Sequence, residues 1–238
     1  MEVTLDSIRT VRVYQPKHGY RFSVDSLLLF DFVHLRKAEK IADLGAGCGI
    51  VGILLAQKYP YACVDLFEIQ GSLARLAGRN ILLNRLDGRV RVIEGDLRNV
   101  SLLGVPFHHY DLVVSNPPFR RVKSGLLSIG EQKAIARHEI TLQLHQCVTA
   151  ASTLLKNGGR LAMIHLPGRL PELTGEMQRA GLELKRMRFV HSTPRTEAKM
   201  LLVEAVRGAR GGLKVEKPLF IYREDGSYTE EMTRIYGI

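Results

Sequence analysis

The stretch IADLGAGCGIVGILLA, residues 41–56, constrains this chain more than any other. A short apolar run meets an acid and three alternating glycines, then resumes at once with helical spacing. Such a segment reads as strand, glycine turn and helix, and it places a ligand at the strand's carboxyl end, beside the helix N-terminus. The alternation continues along the chain. Strands are expected over residues 40–44, 61–67, 90–93, 111–115 and 160–165, and helices over 50–58, 72–84 and roughly 134–155. That order predicts an α/β domain, a parallel sheet with helices on both faces. Asn157-Gly158-Gly159 is expected to stop the third helix, and runs at 185–190 and 200–206 read as a closing antiparallel pair.

A chain of 238 residues, 45% hydrophobic, is long enough for one sizeable core. Residues 1–35 are expected to form an extension packing on the ligand site, with a turn at Gly19 and a helix over 24–33 capped by Asp25 or Ser26. Residues 36–207 make the main domain. Residues 208–238 form a tail that starts with the basic, glycine-rich RGARGGLK, turns at Asp225-Gly226 and is expected to pack on the domain. No run of 18 uncharged apolar residues exists, and the first residues lack the pattern of a signal peptide, so a soluble, cytoplasmic protein is expected, without membrane partners. Cys48, Cys63 and Cys147 are far apart and lack ligand spacing, so neither a disulfide nor a metal site is expected.

The net charge is +10, and it is unevenly spread. Through Ser115 there are 14 basic and 12 acidic residues; from Asn116 onward there are 20 and 12. A polyanion such as RNA is therefore a plausible partner for the later half, against the plainer reading of a solvated basic surface.

The glycine turn can be read in two ways. Gly47, Gly49 and Gly52 satisfy GxGxxG, a weak dinucleotide fingerprint, while Asp43, Gly45, Gly47 and Gly49 satisfy DxGxGxG, the pattern of S-adenosylmethionine (SAM) methyltransferases. Charge separates them: a carboxylate at the strand end repels a pyrophosphate but suits a sulfonium and an ammonium. Glu68, at the end of the second strand, is placed to accept from ribose hydroxyls, a role common to both cofactors. Asp96, with Leu97 after it, ends the third strand and would reach the adenine. Each acid alone could be a helix cap or solvated turn; in series they make an acidic crevice suited to SAM.

The fourth strand runs into VVSNPPFR, residues 113–120. Prolines end strands, and that would suffice as an explanation. The run also resembles the [ND]PP[FYW] motif of class I methyltransferases that modify planar amine or amide nitrogens. The resemblance implies a Rossmann-like, doubly wound, mostly parallel seven-stranded sheet with an antiparallel C-terminal pair. It also implies that the Asn116 side-chain oxygen and the Pro117 carbonyl accept the target's N–H groups, while Phe119 offers a stacking face. Pro117 and Pro118 stiffen that backbone.

Further stretches narrow the resemblance: GYRFSVDSLLL, EIQGSLARLAGRNILLN, ARHE at residues 136–139 and PLFIYREDGSYTEEM. Together they look like the bacterial enzymes that methylate adenine N6 beside the anticodon of valine tRNA. Carried over, Arg21 and Ser23 lie near the donor's carboxylate end and Ile69 flanks its adenine, against a packed turn and a core isoleucine. Arg120, Arg121 and Lys123 follow the motif where phosphates of a flipped nucleotide would arrive. Arg137 and Glu139 equally suit a solvated helix pair. Glutamine N5 methylation of a release factor and guanine N2 methylation of ribosomal RNA remain alternatives, as does a non-catalytic RNA-binding module. A dehydrogenase survives only through GxGxxG.

Overall fold

The computed structural model describes residues 2–18, 21–117 and 142–238. The chain opens with an antiparallel hairpin, β1 (Val3–Ile8) and β2 (Val11–Pro16), and helix α1 (Val24–Phe32). Strand and helix then alternate: β3 (Lys40–Leu44), α2 (Ile50–Lys58), β4 (Cys63–Glu68), α3 (Gly71–Leu83), β5 (Val90–Glu94), a 3-10 turn (Leu97–Leu102) and β6 (Tyr110–Ser115). Next come α4 (Leu144–Leu154), β7 (Leu155–His165), α5 (Leu170–Arg179), β8 (Leu182–His191) and β9 (Ala198–Arg207). The tail supplies β10 (Lys214–Val215), β11 (Leu219–Phe220) and helix α6 (Glu230–Tyr236).

The main sheet follows the order β10-β8-β9-β7-β6-β3-β4-β5, with β11 also paired to β8. Among the described residues it has nine strands: the seven long ones are those expected, and the tail adds two-residue strands at one edge. Strands β3 to β7 are parallel, and β9 runs antiparallel to both β7 and β8. The sheet is covered on both faces, which is why β3 is buried from Ile41 onward and reads as a nearly continuous apolar run. Ile41, Val64 and Leu66 face α1, α2 and α3, while Leu44, Phe67 and Val113 face α4 and α5. Strand β3 has β4 on one side and β6 on the other, so the chain's winding reverses there. In open α/β sheets that reversal leaves a ligand crevice at the carboxyl ends.

Several boundaries depart from expectation for identifiable reasons. Helix α4 already ends at Leu154, and Leu155 is extended with ψ 136°; Asn157-Gly158-Gly159 falls instead in a register shift between β6 and β7. Gly158 is at φ +77°, and a Cβ on Gly159 would stand 2.9 Å from the carbonyl oxygens of Lys156 and Tyr110, so these glycines shape a bulge rather than a helix stop. The earlier part of the expected 134–155 helix, and the turn at Gly19, lie outside the described residues. Helix α5 has no counterpart among the expected elements, because Pro171 and Gly175 argue against it. Pro171 sits in the first turn, where a missing N–H costs nothing, and Leu173 and Met177 are buried. The α1 cap is Ser23, not Asp25 or Ser26.

Both termini pack onto the α1 face. Val11 and Val13 of the hairpin join Leu219, Ile221, Met232 and Ile235 of the tail in the core around α1. Arg188 holds Glu231 through two bonds of 2.8 Å, and Arg9 donates to the carbonyls of Arg234 and Ile235 at 2.8 and 2.7 Å. The Asp225-Gly226 turn forms as expected, with Gly226 at φ +83° and the Ser227 N–H donating to Asp225 Oδ1. Among the described residues, no helix is long and apolar enough to cross a membrane.

Candidate active site

The glycine turn after β3 is held open by its own backbone. Gly45, Gly47 and Gly49 all have positive φ, at 72°, 59° and 87°. A Cβ on Gly45 would meet nothing within 4 Å, so this side of the turn faces free space. Gly49 and Gly52 are glycines for packing: a Cβ there would lie 2.9 and 2.2 Å from the Leu66 methyls, and helix α2 could not sit as close to β4. The third glycine of GxGxxG is thus explained without a phosphate.

Two buried carboxylates flank the turn. Asp43, 2% exposed, accepts the Gly52 N–H at 2.9 Å, and burial pushes its pKa up to about 7. Glu68, 5% exposed, accepts from the Gly47 N–H and the Gln70 N–H, both at 2.8 Å, and burial raises its pKa too. The Gly47 N–H is a donor that a pyrophosphate would need, and here a carboxylate already takes it. Anions are therefore disfavoured at this turn, and a cationic ligand would relieve the desolvated Asp43. Ile69 is half-buried next to Glu68. Asp96 lies beyond β5, where its carboxylate accepts from the Arg98 backbone and guanidinium; the arginine holds its pKa below the usual range. Asp96 caps the 3-10 turn, and Leu97 behind it is buried.

Asn116 leaves the sheet directly beside this turn, because register pairs Leu44 of β3 with Ser115 of β6. The Ser115 hydroxyl donates to the Leu44 carbonyl at 2.9 Å and fixes the two strand ends together. The Asn116 Nδ2 donates to the Ser26 hydroxyl of α1 at 3.3 Å, and Pro117 is buried. Pro118, Phe119, Arg120, Arg121, Lys123, Arg137 and Glu139 lie outside the described residues.

The N-terminal segment is anchored by contacts of its own. Arg21 pairs with Asp6 at 3.1 Å and donates to Thr4 and the Pro16 carbonyl, which ties it to the hairpin. Ser23 serves as the α1 cap. Ser26 of the same segment makes the contact to Asn116. Asn80 was also absent from the candidate residues, although it is fully buried in α3: its Oδ1 accepts the Tyr14 N–H, and its Nδ2 donates to the carbonyls of Tyr14 and Cys48. One turn later, Asn84 makes the same pair of bonds to Arg12. The two amides act as a strand edge for β2 and clamp it, with the glycine turn, to α3. The one signal in the sequence is the spacing of two asparagines at i and i+4 in a helix with an apolar face.

A family model for the methyltransferase small domain matches residues 21–168. The chain is 34% identical to the tRNA1(Val) (adenine(37)-N6)-methyltransferase of Porphyromonas gingivalis, over 99% of this chain and 94% of that protein. It is 27% identical to the protein of the same name from Dyadobacter fermentans, over 90% and 87% of the two chains. Among solved structures, a predicted O-methyltransferase from Agrobacterium tumefaciens superposes with a TM-score of 0.73 at 25% identity, covering 90% of this chain and 95% of that one. With well over half its length inside the family model and a near-full-length relative at 34% identity, the chain belongs to the methyltransferase small domain family.

Proposed function

We propose that this SAM-dependent methyltransferase modifies the N6 amine of adenosine in tRNA, at position 37 beside the anticodon of valine tRNA. The observation that carries the proposal is the seat of Asn116: at the carboxyl end of β6, beside the glycine turn, with its amide nitrogen engaged by Ser26. The curated relatives named as adenine N6 methyltransferases support the same acceptor over guanine N2 or glutamine N5.

The residues of the crevice fit SAM. Asp43 is a buried carboxylate in want of a cation, Glu68 keeps acceptor capacity for ribose hydroxyls, and Gly45 presents open space. Ile69, Asp96 and Leu97 are assigned to the adenine side, with Arg21 and Ser23 toward the methionine end. When bound, SAM supplies an electrophilic methyl group on a sulfonium.

The chain's own work is alignment. An adenine amine is a weak nucleophile, because its lone pair is delocalised into the ring. Asn116 Oδ1 and the Pro117 carbonyl accept its two N–H groups and draw the nitrogen toward a pyramidal shape, so that its lone pair leaves the ring's π system and is free to attack. Holding Nδ2 at Ser26 leaves Oδ1 as the acceptor, so no reorganisation is needed at the moment of transfer. Phe119 stacks on the base, and Arg120, Arg121 and Lys123 take phosphates of the everted nucleotide. In this reading residues 36–207 are the catalytic domain, with 1–35 and 208–238 packed upon it, and tRNA as partner places the protein in the cytoplasm.

The test is to incubate the protein with labelled SAM and total bacterial tRNA, then digest to nucleosides. Label in N6-methyladenosine is expected; label confined to protein would refute the proposal.

A further inference from the structure

The tail carries an aromatic cluster on the same edge of the sheet as Asn116. Tyr222 and Tyr228 face each other across an antiparallel bridge, rings stacked with centroids 5.2 Å apart and planes at 14°. Tyr228 leans in turn on Tyr236 of α6, with centroids at 5.0 Å. Tyr222 is the outermost ring: one face rests on Tyr228, yet 37% of the residue is exposed. Anchoring the tail does not require this ring, since Leu219, Ile221, Met232 and Ile235 are already buried.

Topology puts the cluster near the catalytic crevice. Strands β7 and β8 are both antiparallel to β9 and so run the same way. Strand β11 pairs in parallel with β8, Phe220 opposite His191, and the Tyr222 N–H donates to the Ser192 carbonyl at 2.8 Å. Tyr222 therefore emerges at the carboxyl edge, where Asn116 leaves β6. Tyr222 follows β11, which lies beyond β8, so four strand spacings, about 19 Å, separate it from β6. Helix α1 spans that interval: it packs against α6, which carries Tyr236, and its Ser26 holds Asn116.

We propose that the Tyr222–Tyr228 pair is a stacking platform for an unpaired base that flanks the target adenosine; this rests on the RNA reading above. Phosphate attraction does not explain the patch. Arg195 pairs with Glu224 and Arg223 with Glu230, and Asp225 lies in the same turn, so the rim has no net positive field. A rigid, solvent-facing ring without excess charge recognises a base by its π face, which every base has. Occupancy should therefore depend little on salt, unlike phosphate contacts.

The test uses the full chain and an anticodon stem-loop RNA with 2-aminopurine placed immediately 5′ or 3′ of the target. Wild-type protein is expected to quench the fluorescence of one of the two. Tyr222→Leu should abolish that quenching and weaken RNA binding by about 5- to 100-fold, with SAM affinity and the salt slope unchanged; Tyr222→Phe should behave as wild type. Quenching and affinity that survive Tyr222→Leu would overturn the platform. Should that variant melt early, Tyr222→Trp decides: its larger ring should bind RNA at least as tightly, and clearly weaker binding would count against stacking. A wild-type protein that methylates no tRNA fails the parent reading instead, whereas a methylating protein indifferent to Tyr222 fails this one.

Discussion

Ser26 of α1 accepts a hydrogen bond from Asn116 Nδ2 at 3.3 Å, which couples the N-terminal helix to the end of β6. The bond sorts the two ends of the amide, because a hydroxyl that accepts from Nδ2 leaves Oδ1 for the substrate. Asn116→Ala is expected to cut turnover at least ~10²-fold with SAM affinity nearly unchanged, as for other preorganised polar groups. Ser26→Ala removes only the positioning bond, so kcat should fall about tenfold while the KM for RNA changes little. Ser26→Thr keeps a hydroxyl and should recover part of the loss. Equal rises in KM for all three variants would assign these residues to binding rather than alignment.

Asp43 makes cofactor binding pH-dependent, with a definite sign. Its folded-state pKa is raised from 3.8 to about 7, so between those values the folded protein keeps a proton that the unfolded chain has released. The cofactor-free protein should therefore lose stability as pH rises through that window. A cationic ligand favours the carboxylate, so SAM binding should expel the proton and tighten from about pH 6 to about pH 8. Calorimetry in buffers of different ionisation enthalpy measures this directly. Asp43→Asn should flatten the dependence, and tighter wild-type binding at the lower pH would contradict the assignment.

Asn80 links the hairpin to the glycine turn through three bonds, at 2.7, 2.9 and 2.9 Å. Asn80→Leu leaves buried backbone groups of Tyr14 and Cys48 without partners. A loss of about 3 kcal/mol in urea unfolding is expected, together with weaker SAM binding because the turn loses its clamp. Unchanged stability would mean that β2 and the turn are held by other contacts.

Glu204 of β9 lies between Arg160 of β7, at 2.5 Å, and Arg186 of β8, at 3.1 Å. Arg186 also donates to the Phe32 carbonyl and stacks over that ring at 3.9 Å, so this charge pair fastens α1 to the sheet. Glu204→Gln should cost about 2 to 3 kcal/mol. That lies below the range for breaking a fully buried pair, because Arg160 is 40% exposed and can turn to water. A cost under about 0.5 kcal/mol would show the network to be dispensable.

The parallel half of the fold was legible because its strands are buried on both faces, and β3 and α2 fall on the expected residues. Asp43 and Glu68 were legible for a related reason: they stand at strand ends on either side of a turn that demands positive φ. The contacts that bring the termini to the site were not. Ser26 and Asn80 act across 90 and 66 residues, and no local periodicity marks a residue whose partner lies so far away. Helix α5 was hidden by Pro171, which reads as a breaker until its place in the first turn is known. Asp96 lies two residues beyond the end of β5, and its pairing with Arg98 is a local contact that the strand pattern does not mark.

The central claim is that Asn116 and Pro117 grip an exocyclic amine, and a single-atom change in the acceptor tests it most directly. An unmodified valine tRNA transcript should take up one methyl group per molecule from labelled SAM, recovered as N6-methyladenosine at position 37. A transcript carrying purine riboside there, identical except for the missing amine, should take up none. Equal labelling of both transcripts, or label recovered as N2-methylguanosine, would contradict the account.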